Sequence, residues 1–335
     1  MRVLIVFLLL FCFTEAKEFT IASYNVQNLF DLKTDGTEYK QYNPKINKNW
    51  NKNSQKIKLN NVKKVLADLD ANIIALQEIE SKQALKDLLQ LLPQYPYHAF
   101  LKNSQSAVGL ALLSKFPIET SKKISIQTHK NYSRPILEVS IRIDNRLFYV
   151  FINHWRSKKA PESFRIDYAN SLKNRLKELP AKIDYIVLGD LNSNYNERET
   201  LKFDKKLNDT FGITGINDVL MDPLMLINLW HELPYSKRFS YRYKGQNTTP
   251  DHIVVTKNLF DNQGISYVDN SFKVFKPYYL YKNKKITSWK FEKLTRHEKI
   301  HGYSDHLPII ATFSTQPFVK KNFSQKKNTI EYLYT

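Results

Sequence analysis

The chain has 335 residues and a formal net charge of +19, with 51 Lys and Arg against 32 Asp and Glu. Its single cysteine, Cys12, excludes a disulfide framework and a thiolate metal centre, so an ordinary hydrophobic core must hold the fold. The cations are scattered along the whole length, which points to a polyanionic partner, although abundant Lys and Asn also follow from compositional bias.

In chain order, residues 1–16 have the layout of a secretory signal peptide: Arg2, an apolar run over 3–13, then Thr14-Glu15-Ala16, with cleavage expected after Ala16. The alternative is an uncleaved anchor. No later stretch approaches the roughly 20 apolar residues of a spanning helix, so the expected product is an exported soluble protein, periplasmic or secreted. Residues 19–25 alternate as a strand ending in Tyr24-Asn25. Residues 33–53 are polar and without periodicity, a loop. Ser54 reads as an N-cap, and Ile57, Val62, Val65, Leu66 and Leu69 follow at near-helical spacing to about Asp70. Residues 73–76 form a buried strand that delivers Gln77-Glu78, completing a strand–helix–strand unit.

Further strands are expected at 108–113 and 136–143. The latter alternates Val139, Ile141 and Ile143 with Glu138, Ser140 and Arg142, then turns at Asp144-Asn145. Its partner over 147–152 presents Asn153-His154. Pro161 opens a helix with Phe164, Tyr168, Leu172, Leu176 and Leu179 on one face. Residues 186–188 end in Gly189-Asp190-Leu191-Asn192, and 251–255 and 309–313 are the last clear strands. Alternating and continuous strands with only some intervening helices predict a mixed α/β sandwich in one domain.

Polar residues collect where these strands stop or start: Asn25, Glu78, His154, Asp190, Asn192, Asp251, Asp305 and His306. Singly, each reads as a turn former or cap; together, four carboxylates, two imidazoles and two amides suit phosphate chemistry. A hard cation takes oxygen ligands, for which Glu78 and Asp305 are suited. A histidine steadied by a carboxylate can align an attacking water, as His306 with Asp251 would. Asn192 can donate to phosphate without adding charge.

Four ordered segments, Ser23-Tyr24-Asn25-Val26-Gln27-Asn28-Leu29-Phe30, Ala75-Leu76-Gln77-Glu78-Ile79-Glu80, Leu188-Gly189-Asp190-Leu191-Asn192 and Ser304-Asp305-His306-Leu307-Pro308, resemble the signature blocks of the endonuclease/exonuclease/phosphatase superfamily. Asn153-His154-Trp155-Arg156-Ser157-Lys158 and Leu226-Ile227-Asn228-Leu229-Trp230 resemble its bacterial extracellular nucleases. The resemblance implies a four-layered α/β sandwich, deoxyribonuclease I-like, with two packed mixed β-sheets flanked by helices, over residues 17–335. It implies that Asn25 and Glu78 hold the metal region, with Glu78 the principal ligand and Asp305 a second. His306 would orient or deprotonate the water and Asp251 would hold His306. Asp190 and Asn192 would position nucleophile and phosphate, and His154 would contact phosphate and stabilise the leaving group. Arg134 matches a phosphate-contacting Arg by position. No acidic residue around 105–108 is available to support His154.

The implied cofactor is Mg²⁺, with Mn²⁺ or Ca²⁺ as alternatives for oxygen-rich ligands. The implied activity is endonucleolytic cleavage of nucleic acid, DNA rather than RNA, by a monomer. Sphingomyelinase or phosphoinositide phosphatase activity is the rival within the superfamily, and binding of DNA without cleavage is the rival outside it. His297-Glu298-Lys299-Ile300-His301 matches the zinc-protease H-E-x-x-H, but Gly302 follows at once and Ser304 stands where a third His would be, so it reads as coincidence. The Lys- and aromatic-rich stretch 272–290 suits phosphate tracking and base stacking, or an anionic membrane surface. Trp155 and Trp230 read as packing residues.

Overall fold

Alternation along the strands decides the architecture, because both faces of each main sheet are buried. The computed structural model describes residues 17–128, 133–291 and 299–320, and every count here refers to those. The expected signal peptide with Cys12, and His297 and Glu298, lie outside them.

In chain order the strands are β1 (Glu18–Leu29), β2 (Ile73–Ile79), β3 (Tyr97–Leu101), β4 (Gly109–Ser114), β5 (Ile118–Ile124), β6 (Ile136–Ile143), β7 (Arg146–His154), β8 (Asp184–Asp190), β9 (Ile227–Asn228), β10 (Tyr241–Tyr243), β11 (Gln246–Thr248), β12 (Asp251–Val255), β13 (Ser266–Tyr267), β14 (Lys273–Val274), β15 (Tyr281–Lys282), β16 (Lys285–Ile286) and β17 (Ile309–Ser314). The main helices are α1 (Lys52–Leu69), α2 (Lys82–Leu89) and α3 (Glu162–Lys177). One sheet runs β13-β17-β1-β2-β4-β3 with β14 beside β17, and the other β5-β6-β7-β8-β12-β9. Each is mixed: β1·β2 and β7·β8 are parallel, their other pairings antiparallel.

Inward residues of both sheets, among them Ile21, Ile73, Leu112, Val139, Val150, Leu188, Ile253 and Phe313, form one core between the sheets. Outward residues of the first sheet, Ala22, Tyr24, Ile74 and Leu76, pack on Val62, Val65 and Leu66 of α1 and Leu85 and Leu88 of α2. Those of the second, Ile136, Phe151, Val187 and Val254, pack on Tyr168, Leu172 and Leu176 of α3. The order is helix, sheet, sheet, helix, as expected, and each fully buried Leu, Ile or Val is worth about 1.5–3 kcal/mol. The polar set of β6 is divided: Glu138 is buried and accepts a two-pronged pair from Arg175 of α3 at 2.6 and 2.8 Å, Ser140 is buried, and Arg142 is exposed.

The predicted cap of α1 needs correction. Asn51 is the N-cap, its side chain accepting from the N–H groups of Asn53 and Ser54, while Ser54 Oγ accepts from Asn51 N at 2.8 Å. Ser54 is the other half of a reciprocal box, inside the helix, and the helix starts at Lys52, three residues earlier than a cap at Ser54 would place it. At Asp144-Asn145 both residues adopt positive φ (46° and 63°), as a two-residue hairpin turn requires. No described helix is long and apolar enough to cross a membrane.

Glu232 offers a stability test remote from the strand-end residues. It is buried, accepts from Tyr267 Oη at 2.5 Å, and burial pushes its pKa up from 4.5 to about 7. Since the folded state binds this proton more tightly than the unfolded, its contribution is complete below 4.5 and lost as pH rises through about 7. Glu232→Gln keeps an acceptor for Tyr267 and does not titrate. Relative to the parent it should gain on the order of 2 kcal/mol near pH 8 and little near pH 5. Urea unfolding at both pH values checks this; a gain independent of pH would refute it.

Candidate active site

The sheet topology brings the strand-end residues together. In a parallel pair both carboxyl ends point one way, so Asn25 (β1) meets Glu78 (β2), and His154 (β7) meets Asp190 (β8). The antiparallel neighbours β12 and β17 deliver their amino ends to the same edge, bringing Asp251, Asp305 and His306. Asp190 lies in register between His154 and Asp251, so the three neighbour one another across strands.

Local irregularities aim the side chains. The β1·β2 register skips from Asn25/Gln77 to Leu29/Ile79, and Gln27, Asn28 and Glu78 take positive φ (51°, 65°, 68°). Such a bulge turns Glu78 out of the strand alternation, at a strain of about 1–2 kcal/mol per non-Gly residue. At Gly189, φ is 125° and a Cβ would lie 2.2 Å from the Asn153 carbonyl oxygen. Only glycine lets β7 and β8 approach closely there.

Asn25 Nδ2 donates to Glu78 (3.2 Å) and Asp190 (3.0 Å), bridging two carboxylates, while its Oδ1 accepts from Gln27 N. His154 Nε2 stands 3.8 Å from Glu78 and 3.7 Å from Asp190. Its buried Nδ1 has no hydrogen-bond partner among the described residues, in keeping with the missing acidic residue around 105–108. Burial, with Arg134 and His306, holds the His154 pKa well below its usual value.

His306 Nδ1 is 2.8 Å from Asp251 Oδ2, and its Nε2 faces Asp190 at 3.9 Å. Burial opposes its protonation, but the adjoining Asp251, with Asp305 and Asp190, outweighs that and raises its pKa well above the usual range. Asp251 Oδ2 also accepts from Ser240 Oγ at 2.6 Å. Burial pushes the carboxyls of Glu78 and Asp190 upward, aided by Asp305 and Asp251 respectively. Asn192, in left-handed conformation, donates to the Trp155 carbonyl at 3.1 Å, and Arg134 Nη1 does so at 3.3 Å.

Glu78, Arg134, His154, Asp190, Asn192, Asp305 and His306 line a cleft of about 740 Å³, together with Lys158, Lys159, Tyr39, Tyr241 and Tyr243; Asn25 and Asp251 are buried and are not in its wall. Asp190, Asp251 and His306 bring ligand atoms within 4.8 Å of one another, a buried cluster that suits a divalent cation. Within it Asp251 Oδ2 is already engaged by His306 and Ser240. The carboxylates that line the cleft are Glu78, Asp190 and Asp305, an all-oxygen set whose mutual repulsion a hard cation would relieve.

Three contributors were not among the expected site residues. Ser240 holds Asp251; Tyr241 lies against the His306 ring at 4.8 Å between centroids; Ser304 Oγ donates to the Asn25 carbonyl at 2.6 Å. Ser304 alone sat inside a quoted block. His252 beside Asp251 is a neutral core histidine: its ring nitrogens meet Asn228 Nδ2 and the Ser193 carbonyl, and burial takes its pKa down to about 4. The stretch 272–290 is not in the cleft. Phe275, Tyr279 and Tyr281 pack on the α1 layer, because the outer face of the first sheet needs apolar cover, and Trp289 is buried in a separate cluster with Phe30, Tyr42 and Trp50; Tyr278 is the exposed aromatic of that set. Trp155 and Trp230 are fully buried, as expected. His301 is exposed in an isolated bridge with Lys290, not on a helix.

Residues 20–315 match the model of the Endonuclease/Exonuclease/phosphatase family. Curated protein sequences yield no match. Among solved structures, the chain is similar to an endonuclease/exonuclease/phosphatase family protein from Bacteroides thetaiotaomicron (14% identity, TM-score 0.58, covering 91% of this chain and 100% of that one). It is also similar to TDP2 of D. rerio complexed with single strand DNA product (16%, 0.55, 88% and 98%), and to a Bacteroides thetaiotaomicron mannosyl-6-phosphatase (14%, 0.55, 88% and 99%). At these identities the likeness is one of fold, two mixed sheets with flanking helices of the deoxyribonuclease I type.

Proposed function

Because the chain belongs to the endonuclease/exonuclease/phosphatase family, we propose that it is an exported, Mg²⁺-dependent nuclease cutting nucleic acid, DNA foremost, within the strand. At family level it is a metal-dependent phosphoesterase. The observation that carries the finer reading is the composition of the cleft: Arg134, Lys158 and Lys159 line it with Tyr39 and Tyr243 above a floor of carboxylates and imidazoles. Cations track a phosphate backbone and tyrosines stack on bases. The net charge of +19 favours the same polyanion. The DNA product bound by the D. rerio relative supports it too.

In this reading Glu78, Asp190 and Asp305, with Asn25 between the first two, would hold the cation, which would supply Lewis-acid neutralisation of phosphoryl charge. Asp251 holds Nδ1 of His306 and fixes the direction of Nε2; with the charges of Asp190 and Asp305, which help to raise the His306 pKa, offset by the cation, Nε2 would take the proton of the attacking water. The water oxygen bonds phosphorus as the bond to the leaving oxygen breaks. Arg134 and Asn192 hold the phosphate, and His154 stabilises the leaving oxygen.

Supercoiled plasmid incubated with purified mature protein and Mg²⁺, with and without chelator, tests this directly. Metal-dependent nicking is expected. Tyr243→Ala should raise KM about tenfold with kcat nearly unchanged, as loss of one stacking contact predicts. If plasmid stays intact while sphingomyelin, a phosphoinositide or a sugar phosphate is hydrolysed, the nuclease reading fails and the family-level one stands.

A further inference from the structure

Helix α1 places a cation where its neighbours are apolar or small. Its buried face is Ser54, Lys58, Val62, Val65, Leu66 and Leu69, and Lys58 is 0% exposed. The ammonium donates to the carbonyl oxygens of Val26 (2.6 Å) and Tyr303 (2.8 Å) and stands 5.0 Å from the centroid of the Trp289 ring. Burial lowers its pKa to about 7, while Asp305 and Glu78 pull it upward. A buried ammonium without a carboxylate in hydrogen-bond contact is costly to keep, so its acceptors bear on its role.

Those acceptors flank the site. Val26 follows Asn25 within the bulge, where β1 pairing skips from Asn25 to Leu29, so its carbonyl needs a donor from elsewhere. Tyr303 precedes Ser304-Asp305-His306. Asn61, one turn along α1, donates to the Gly302 carbonyl at 2.8 Å, and Ser304 Oγ accepts from His306 N at 3.1 Å. An apolar side chain at 58 would leave the Val26 and Tyr303 carbonyls without this donor and would leave the Ser304 Oγ bond to the Asn25 carbonyl to tie the two arms without the second link.

We propose that Lys58 is a positioning residue that fixes the spacing between the Asn25–Glu78 arm and the Asp305–His306 arm, and thereby preforms the oxygen ligands of the cation. It lies behind the cleft and touches no substrate. The proposal rests on the reading of those arms as the cation-holding groups given above.

The test uses the full mature chain with Lys58→Met, Lys58→Gln and Lys58→Arg. Two readouts need no substrate: the Mg²⁺ concentration giving half-maximal thermal stabilisation, and hydrogen exchange of the amides of 302–307. Lys58→Met should fold, require about tenfold more Mg²⁺ and exchange faster at 302–307, and Lys58→Arg should restore both to within about threefold. A folded Lys58→Met with unchanged Mg²⁺ midpoint and exchange overturns the proposal, as does an Arg variant no better than Met. If neither Met nor Gln variant folds while Arg does, Lys58 serves stability alone and the proposal is lost. Absence of any Mg²⁺ response in the parent protein would count against the cation reading, and exchange at 302–307 would still decide the role of Lys58.

Discussion

Replacing His306 by Ala is expected to lower kcat by about 10²–10⁴-fold, the contribution of a positioned general base, while leaving KM and the circular dichroism spectrum nearly unchanged. Its Nδ1 is held 2.8 Å from Asp251 and its ring lies against Tyr241, so Nε2 points in one direction, toward Asp190 and the cleft. Alanine deletes the proton acceptor without disturbing a strand, since His306 precedes β17 in the chain. Asp251→Asn should fall in the same direction by a smaller factor, because Asn can still accept from Nδ1 but no longer offsets a charged imidazole. Steady-state turnover on plasmid with each variant decides the matter. Turnover of His306→Ala within a few-fold of the parent would mean that another group activates the water.

Glu78→Gln is expected to cut kcat by about 10³-fold, the several kcal/mol that cation-assisted charge stabilisation supplies. The substitution keeps shape and the partner Asn25, so the bulge that sets Glu78 at φ 68° is retained and only charge is removed. With Glu78, Asp190 and Asp305 converging on one cleft, deletion of one charge should also raise the melting temperature of the chelator-treated protein. The Mg²⁺-induced rise in melting temperature should disappear. Parallel melting curves with chelator and with Mg²⁺ check both, and a variant still stabilised by Mg²⁺ to the parent's extent would remove Glu78 from the cation's ligands.

How much of the site could be read from sequence differs residue by residue. Asn25, Glu78, His154, Asp190, Asp251 and His306 were legible because strand periodicity ends at a definite residue, and a polar group there is conspicuous against the apolar run before it. Ser240 was not, because a serine in an aperiodic loop has no pattern to interrupt. Lys58 was not either: on the α1 stripe a lysine reads as solvated, and its two acceptors lie 32 and 245 residues away in the chain. The stretch 272–290 misled for the complementary reason. Alternating Lys and aromatics look alike whether the rings meet bases or the outer face of a sheet, and here they cover the α1 layer.

Local patterning alone thus determined the strands and helices, the two-sided burial that demands layers, and the inventory of oxygen and imidazole groups at strand ends. Tertiary structure decided which ends share an edge. Parallel pairing of β1 with β2 and β7 with β8, and antiparallel entry of β12 and β17, are contacts across tens to hundreds of residues, which no window of sequence encodes. The convergence of Glu78, Asp190 and His306 follows from them, and so does the burial that makes those charges repel, attract and be worth arranging.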